Sequence, residues 1–183
     1  SSPFKQVPIV QQPAPLLIGE RTNATGSRAF RKALLAEDDD AAFDLMCAQE
    51  DNGSHAIDLS VAYAGLDEGA IMTRMVSRAA QGCRLPLVID SNDCAVVEQA
   101  LKSHGGRMLI NSINLEDGGK RAEQVIELAK RYGAGLVCLT IDERGMAKTR
   151  EHKLAVARRL KQRCCETHGL SPDDLLIDAL TFT

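Results

Sequence analysis

The stretch LPLVIDSNDCAVVEQALKSHGGRMLIN, residues 85–111, contains the repeating unit that decides the fold. A short apolar run ends on Asp90, an amphipathic segment with helical spacing follows, and a second apolar run ends on Asn111. Short runs rich in Leu, Ile and Val, separated by amphipathic segments, are typical of buried parallel strands that alternate with helices. This stretch is therefore predicted to form a strand, a helix and a second strand.

The same unit recurs on both sides of this stretch. Strand one is expected to start near Leu16, and a first helix near Ser27, where Ser, Thr and Asn precede the periodic run FRKALLA. The whole pattern predicts an α/β protein with six strands and six helices. In such folds the site lies where strands end. Each of the six apolar runs ends on a carboxylate or a carboxamide, at Glu20, Asp58, Asp90, Asn111, Asp142 and Asp178.

Strict alternation of strands and helices allows two architectures, an open doubly wound sheet and a closed eight-stranded barrel. A dinucleotide-binding unit requires GxGxxG directly after a strand. The segment LLIGERTNATGSR, residues 16–28, has a different glycine spacing and a charged pair in the turn. A polar group at every strand end favours the barrel, whose loops converge on one mouth, although six strands are two fewer than a closed barrel needs.

Composition narrows the classes of function. The 183 residues, 44% of them hydrophobic, can form one core, and a net charge of -3 without a long basic block argues against nucleic-acid binding. No apolar stretch reaches the ~18 residues that span a bilayer. We expect a cytoplasmic enzyme with an extended arm at residues 1–15, rich in Pro and Gln, before one domain at residues 16–183.

The six cysteines and four histidines do not predict a metal site. The cysteines form no CxxC pair, and no two histidines are spaced to share one face of a helix. Cys47, in a predicted helix, and Cys138, in a predicted strand, are expected to act as small hydrophobic residues in a reducing compartment.

Motifs in a fixed order resemble the pterin-binding methyltransferase family. This family includes methyltetrahydrofolate:corrinoid methyltransferases and the folate domain of cobalamin-dependent methionine synthase. The resemblance implies a (β/α)8 TIM barrel, with about six of its eight β/α units in this chain and strands seven and eight beyond Thr183. The motifs are IGERTNATGSR (18–28), IDLSVAYAG (57–65), VIDS (88–91), INSIN (110–114), TIDERGMAKTREHK (140–153) and LLIDALTF (175–182).

The resemblance also implies a set of site residues. Asp90, Asn111 and Asp178 match the family's pterin-binding positions, and carboxylates and amides can pair with the N–H and C=O groups of a pterin edge. The alternative for these residues is a helix cap or a turn. Asn23 and Thr25, in the first loop, are expected to cap the following helix rather than to bind the ligand. Glu20 and Asp58 are further candidates for pterin contact, with an ion pair or loop anchoring as their alternative. Asp142, which opens the fifth loop, and Arg150, which matches a family arginine, are also candidates.

The implied reaction moves the N5-methyl group of methyltetrahydrofolate to the cobalt(I) of a corrinoid. A tertiary amine leaves poorly, so N5 must gain a proton as the C–N bond breaks. The family's network for this step includes an asparagine on strand seven, and Asp90 is the catalytic candidate in this chain. The chain has no DxHxxG motif, so the cobalamin is expected on another domain or protein. A homodimer is one assembly that the resemblance allows.

Two alternatives remain open. A dihydropteroate synthase would share the barrel but would carry an NxTPDSF-like first loop, where this chain has ERTNATGSR, residues 20–28. A non-catalytic pterin-binding or docking module would keep the ligand contacts without turnover.

Overall fold

The computed structural model describes residues 1–181 and confirms the α/β class. Phe182, which ends the last motif, and Thr183 lie outside the described residues. The chain divides into two compact units, Ser1–Met108 and Leu109–Thr183. Each unit contains three parallel strands that alternate with helices.

The first unit contains three strands in one parallel arrangement, with β2 between β1 and β3. All five residues of β2 are buried, which agrees with helices packing on a parallel sheet. The elements of this unit are β1 (Ile18–Asn23), α1 (Arg28–Leu35), α2 (Asp39–Asp51), β2 (Ala56–Ser60), α3 (Glu68–Gly82), β3 (Leu87–Asp90) and α4 (Cys94–Lys102).

In the second unit β5 pairs with β4 and with β8, in parallel on both sides. A short antiparallel hairpin, β6–β7, extends the loop that follows β5. This hairpin was not part of the sequence prediction, because strands of two residues carry no apolar periodicity. The elements are β4 (Leu109–Ile113), α5 (Lys120–Tyr132), β5 (Gly135–Leu139), β6 (Ile141–Asp142), β7 (Gly145–Met146), α6 (Arg150–Lys161), a π-helical turn (Gln162–Thr167), a 3-10 turn (Pro172–Asp174) and β8 (Leu175–Asp178).

Side-chain caps set the starts of most helices, and the six predicted helices are all present. The Oγ atom of Ser27 accepts the backbone N–H of Phe30, so the predicted start of the first helix is confirmed. Strand β1 begins at Ile18, two residues after the predicted start near Leu16. The N–H of Leu17, just before this strand, donates to Nδ1 of His55 at 2.9 Å. The other side-chain caps are Asp38, Asp67, Asp93 and Thr149.

Residues 1–17 form no helix or strand. Ser2 is nevertheless buried, and its hydroxyl donates to the carbonyl oxygen of Arg84 at 2.5 Å. Lys5 forms an ion pair with Glu50 at 3.0 Å. These contacts hold the start of the chain against the first unit, while the division into an arm at 1–15 and a domain at 16–183 stays a prediction.

The cysteines in the described residues are free thiols. Cys138 lies buried in β5, where the Cys164 thiol and burial together raise its pKa. None of the helices within residues 1–181 is long and apolar enough to cross a bilayer.

Candidate functional site

Two candidate residues of the first unit share one face of its sheet. Asp58 lies in β2 and is 3% exposed, and Asp90 is the half-buried last residue of β3. Asp58 pairs in register with Val88, and Asp90 lies two residues beyond Val88. Side chains two apart on a strand point to the same face, so Asp58 and Asp90 point the same way from neighbouring strands. Glu20 lies on β1 and is exposed.

A residue that follows Asp90, rather than Asp90 itself, caps helix α4. Oδ1 of Asp93 accepts the N–H of Ala95 at 2.7 Å and caps α4. The hydroxyl of Ser91 accepts the N–H of Asp93 at 3.1 Å and donates to Oε1 of Glu68 at 2.5 Å. The capping role therefore belongs to Asp93, and Asp90 is not the cap.

The second unit repeats this geometry with Asn111 and Asp178. Asn111 pairs in register with Val137 of β5, and Asp178 pairs with Leu139, two residues further along the same strand. The side chains of Asn111 and Asp178 therefore also share one face. Asn111 is half-buried and Asp178 is exposed.

Asp178 also closes a turn, which was the alternative role considered for it. Its Oδ1 accepts the N–H of Leu180 at 2.7 Å. A carboxylate has two oxygens and about four acceptor positions, so this turn is compatible with contact to a ligand.

Asp142 is the centre of a polar cluster in the loop after β5. Its carboxylate is 2% exposed and lies 3.0 Å from Nε2 of His152, 3.2 Å from Nη2 of Arg144 and 3.3 Å from Nη1 of Arg159. Burial opposes ionisation, but the hydrogen bonds from His152 and Arg144 outweigh it and hold the pKa of Asp142 well below its usual range. Arg150, the first residue of α6, is exposed.

The first loop differs from the expectation for Asn23 and Thr25. Oδ1 of Asn23 accepts the N–H groups of Thr25 and Gly26, both at 2.9 Å. Asn23 therefore closes a turn in the loop, and Ser27 caps the helix. The expectation that Asn23 and Thr25 cap the helix was wrong because the cap lies further along the chain than either residue.

A buried glutamine that sequence reasoning missed connects β1, β2 and α2. Gln49 is 2% exposed, its Nε2 donates to Oγ1 of Thr22 at 3.1 Å, and its Oε1 accepts the N–H of Arg21 at 2.8 Å. Thr22 in turn donates to the carbonyl oxygen of Asp58 at 2.6 Å. A Cβ atom at Gly19 would lie 2.5 Å from Oε1 of Gln49, so this network requires glycine there.

A signal for Gln49 was present in the sequence. Ala42, Met46 and Gln49 follow the spacing of one helix face, and all three are buried. A polar residue on the apolar face of a helix is informative, because buried polar groups need partners.

Parallel strands that alternate with helices, four of these strands carrying a polar candidate side chain within two residues of their carboxyl ends, define the class as an α/β fold with its candidate site near those ends. Residues 19–183 match the family described as pterin binding enzyme, and the chain belongs to that family. The family resemblance expected from the sequence is thereby confirmed.

Two curated relatives are methionine synthases of mycobacteria. The chain is 42% identical over 186 residues to methionine synthase of Mycobacterium leprae (strain TN), with 100% of this chain and 15% of the relative covered. It is 41% identical over 186 residues to methionine synthase of Mycobacterium tuberculosis (strain ATCC 25618 / H37Rv), with 100% and 16% covered. The chain thus spans about one sixth of the length of these relatives.

Solved structures with a similar fold include dihydropteroate synthases. The 7,8-dihydropteroate synthase of Vibrio fischeri ES114 has a TM-score of 0.62 at 14% identity, covering 92% of this chain and 63% of that chain. A Yersinia pestis dihydropteroate synthase in a sulfonamide drug complex has a TM-score of 0.63 at 16% identity, with 92% and 63% covered. At these identities the likeness concerns the fold, and the predicted TIM-barrel class with six β/α units in this chain is confirmed.

Proposed function

We propose that this chain is a pterin-binding methyltransferase domain. It binds methyltetrahydrofolate and transfers the N5-methyl group to the cobalt(I) of a corrinoid carried by another domain or protein. The observation that carries this proposal is the 42% identity to a methionine synthase over the whole chain. The likeness to dihydropteroate synthases, at 14% and 16% identity, supports the fold and does not favour their reaction.

In this proposal four polar side chains bind the pterin. Asp58 and Asp90 share one sheet face, and so do Asn111 and Asp178; Asp90 and Asp178 end their strands, whereas Asp58 and Asn111 lie two residues before the ends of theirs. Carboxylates accept hydrogen bonds from the ring N–H groups, and the amide of Asn111 can donate and accept at once. Paired hydrogen bonds to the planar edge of the pterin fix its orientation and also add to its affinity.

The remaining candidate residues have smaller proposed roles in pterin binding. Glu20, on β1, and Arg150, the first residue of α6, are exposed and are proposed to contact the pterin substrate. Asp142 is a candidate for direct contact too, but its carboxylate already has three side-chain partners, Arg144 in the fifth loop and His152 and Arg159 on α6. The proposal therefore assigns Asp142 to holding that loop in place.

The chemical task of the chain is to prepare the methyl donor. The C–N5 bond breaks as a bond from the methyl carbon to cobalt forms, and a proton must reach N5 so that tetrahydrofolate leaves as a neutral amine. The corrinoid, when bound, supplies the nucleophile. Asp90 is proposed to belong to the polar network that holds this proton, a general-acid contribution that is typically worth about 10²–10⁴-fold in rate.

The proposal is tested by mixing the protein with methyltetrahydrofolate and free reduced cobalamin, and following methylcobalamin by its absorbance. We expect turnover by the unaltered protein and a rate at least about tenfold lower for Asp90→Asn. Asp44→Asn makes the same chemical change on an exposed position of α2 and should not alter the rate.

Two results would contradict the proposal in different ways. Formation of dihydropteroate from a dihydropterin pyrophosphate and p-aminobenzoate, without methyl transfer, would establish the dihydropteroate synthase alternative. Pterin binding with neither reaction would establish a non-catalytic binding or docking module.

A further inference from the structure

An exposed aromatic side chain lies in the loop that follows β2, the strand that contains Asp58. Tyr63 is in the loop directly after β2, and it is 41% exposed. The N–H of Leu66 donates to the carbonyl oxygen of Tyr63 at 3.1 Å, which folds this loop into a tight turn. The Tyr63 ring therefore projects from a tight turn in the loop that follows β2, and β2 also contains the candidate pterin-binding residue Asp58.

Arg31 holds the ring from one side. Its guanidinium carbon lies 5.4 Å from the centroid of the Tyr63 ring, within the range of a cation–π contact. Nη1 of Arg31 also donates to the carbonyl oxygens of Ala24 and Thr25, at 3.0 and 3.1 Å. The loops after β1 and β2 are thus joined through Arg31. A ring whose position is fixed in advance loses little conformational freedom when a ligand binds.

The position is also unusual for an aromatic residue of this chain. Within residues 1–181, the exposed aromatic side chains are Phe4 and Tyr63. Phe4 belongs to the segment before β1, whereas Tyr63 follows the carboxyl end of a strand. A partly exposed tyrosine, with an apolar ring and few rotatable bonds, is well suited to stacking against a planar group of a ligand.

We propose that Tyr63 binds the p-aminobenzoyl ring of the folate substrate and thereby makes the site selective for folates over simple pterins. This inference rests on the proposed function. In the proposed function the pterin edge pairs with polar side chains of the strands, which leaves the p-aminobenzoylglutamate group to the loops that follow them. Tyr63 offers that group an aromatic partner at the rim, and aromatic pairs contribute affinity beyond their buried area.

The test compares two ligands by calorimetry. One is methyltetrahydrofolate, and the other is a tetrahydropterin with a methyl group in place of the p-aminobenzoylglutamate group. Tyr63→Leu should weaken binding of methyltetrahydrofolate about three- to tenfold and leave the tail-less pterin within about twofold. Tyr63→Phe keeps the ring and should restore folate affinity. Phe4→Leu makes the same aromatic-to-leucine change on another exposed residue and should alter neither affinity.

Three outcomes would overturn the inference. If Tyr63→Leu weakens both ligands equally, Tyr63 shapes the pterin pocket or the fold rather than the selectivity. If it weakens neither, Tyr63 does not contact the folate tail. If the unaltered protein fails to bind even the tail-less pterin, the proposed function itself fails, and the selectivity role falls with it.

Discussion

The carboxylate of Asp142 lies 3.0 Å from Nε2 of His152, and this contact joins the hairpin after β5 to helix α6. The same carboxylate accepts the backbone N–H of Arg144 at 3.0 Å. One buried group thus connects the start of the loop, its turn and the helix that follows. The geometry of the fifth loop depends on this carboxylate.

Replacing Asp142 by asparagine should therefore destabilise the protein. We expect the free energy of unfolding at pH 7 to fall by about 1–3 kcal/mol, because charge-assisted hydrogen bonds to a buried group are lost. Urea unfolding measures this, with Glu166→Gln as a control on an exposed carboxylate. A large loss of pterin affinity at unchanged stability would instead make Asp142 a ligand contact.

The stabilisation by Asp142 should also depend on pH. Burial would raise the pKa of Asp142, but the bonds from His152 and Arg144 lower it below its unfolded value of about 3.9. The unfolded chain then binds more protons than the folded chain as the solution is acidified. The contribution is therefore complete above about pH 4 and is lost below it. The difference in unfolding free energy between wild type and Asp142→Asn should shrink at pH 3.

Gln49 provides a prediction about the network beneath Asp58. Gln49→Ala leaves Thr22 and the N–H of Arg21 without their buried partner, and we expect a loss of about 1–3 kcal/mol in stability. Gln81→Ala removes an amide from an exposed position of α3 and should change stability by less than about 0.5 kcal/mol. If the two substitutions change stability equally, the hydrogen-bond network of Gln49 does not stabilise the fold.

His104 should make stability fall in mild acid. It is buried, and neither ring nitrogen has a hydrogen-bond partner within the described part of the chain. Burial and the positive amino group of Ser1 lower the pKa of His104. Since the unfolded pKa is about 6.5, the unfolded chain binds more protons below that pH, and the folded state loses stability as the pH falls.

His104→Leu should remove this dependence. At pH 7.5 we expect its stability to lie within about 1 kcal/mol of wild type, since an unpartnered polar group is replaced by an apolar one. Melting curves at pH 7.5 and 5.5 compare the two proteins. An equal fall in melting temperature between pH 7.5 and pH 5.5 in wild type and His104→Leu would assign the acid sensitivity to other groups.

Local signals account for the parts of the fold that the sequence predicted. The apolar run before Asp90 is a buried strand, and the run before Asn111 is the strand after the next helix. Ser27 begins its helix because a hydroxyl at that position satisfies a backbone N–H that no preceding turn can pair. These features depend on neighbouring residues, so they can be recognised without knowledge of tertiary contacts.

The parts that were missed depend on residues far apart in the chain. The role of Gln49 follows from contacts with Thr22, 27 residues away, and that of Tyr63 from its approach to Arg31. The commitment of Asp142 to His152 and Arg159 follows from how α6 packs over the hairpin. The motifs include Tyr63 and Asp142 but not Gln49, and only the folded geometry shows which partners each side chain has.

The most direct test of the pterin site is a calorimetric titration with methyltetrahydrofolate, using wild type, Asn111→Ala and the exposed-amide control Gln81→Ala. Loss of a paired hydrogen-bonding amide should cost about 1–3 kcal/mol, which corresponds to an affinity about 5- to 150-fold lower. We predict measurable binding by wild type and Gln81→Ala, and this loss for Asn111→Ala. No heat from wild type, or equal affinity for all three proteins, would contradict a pterin site that includes Asn111.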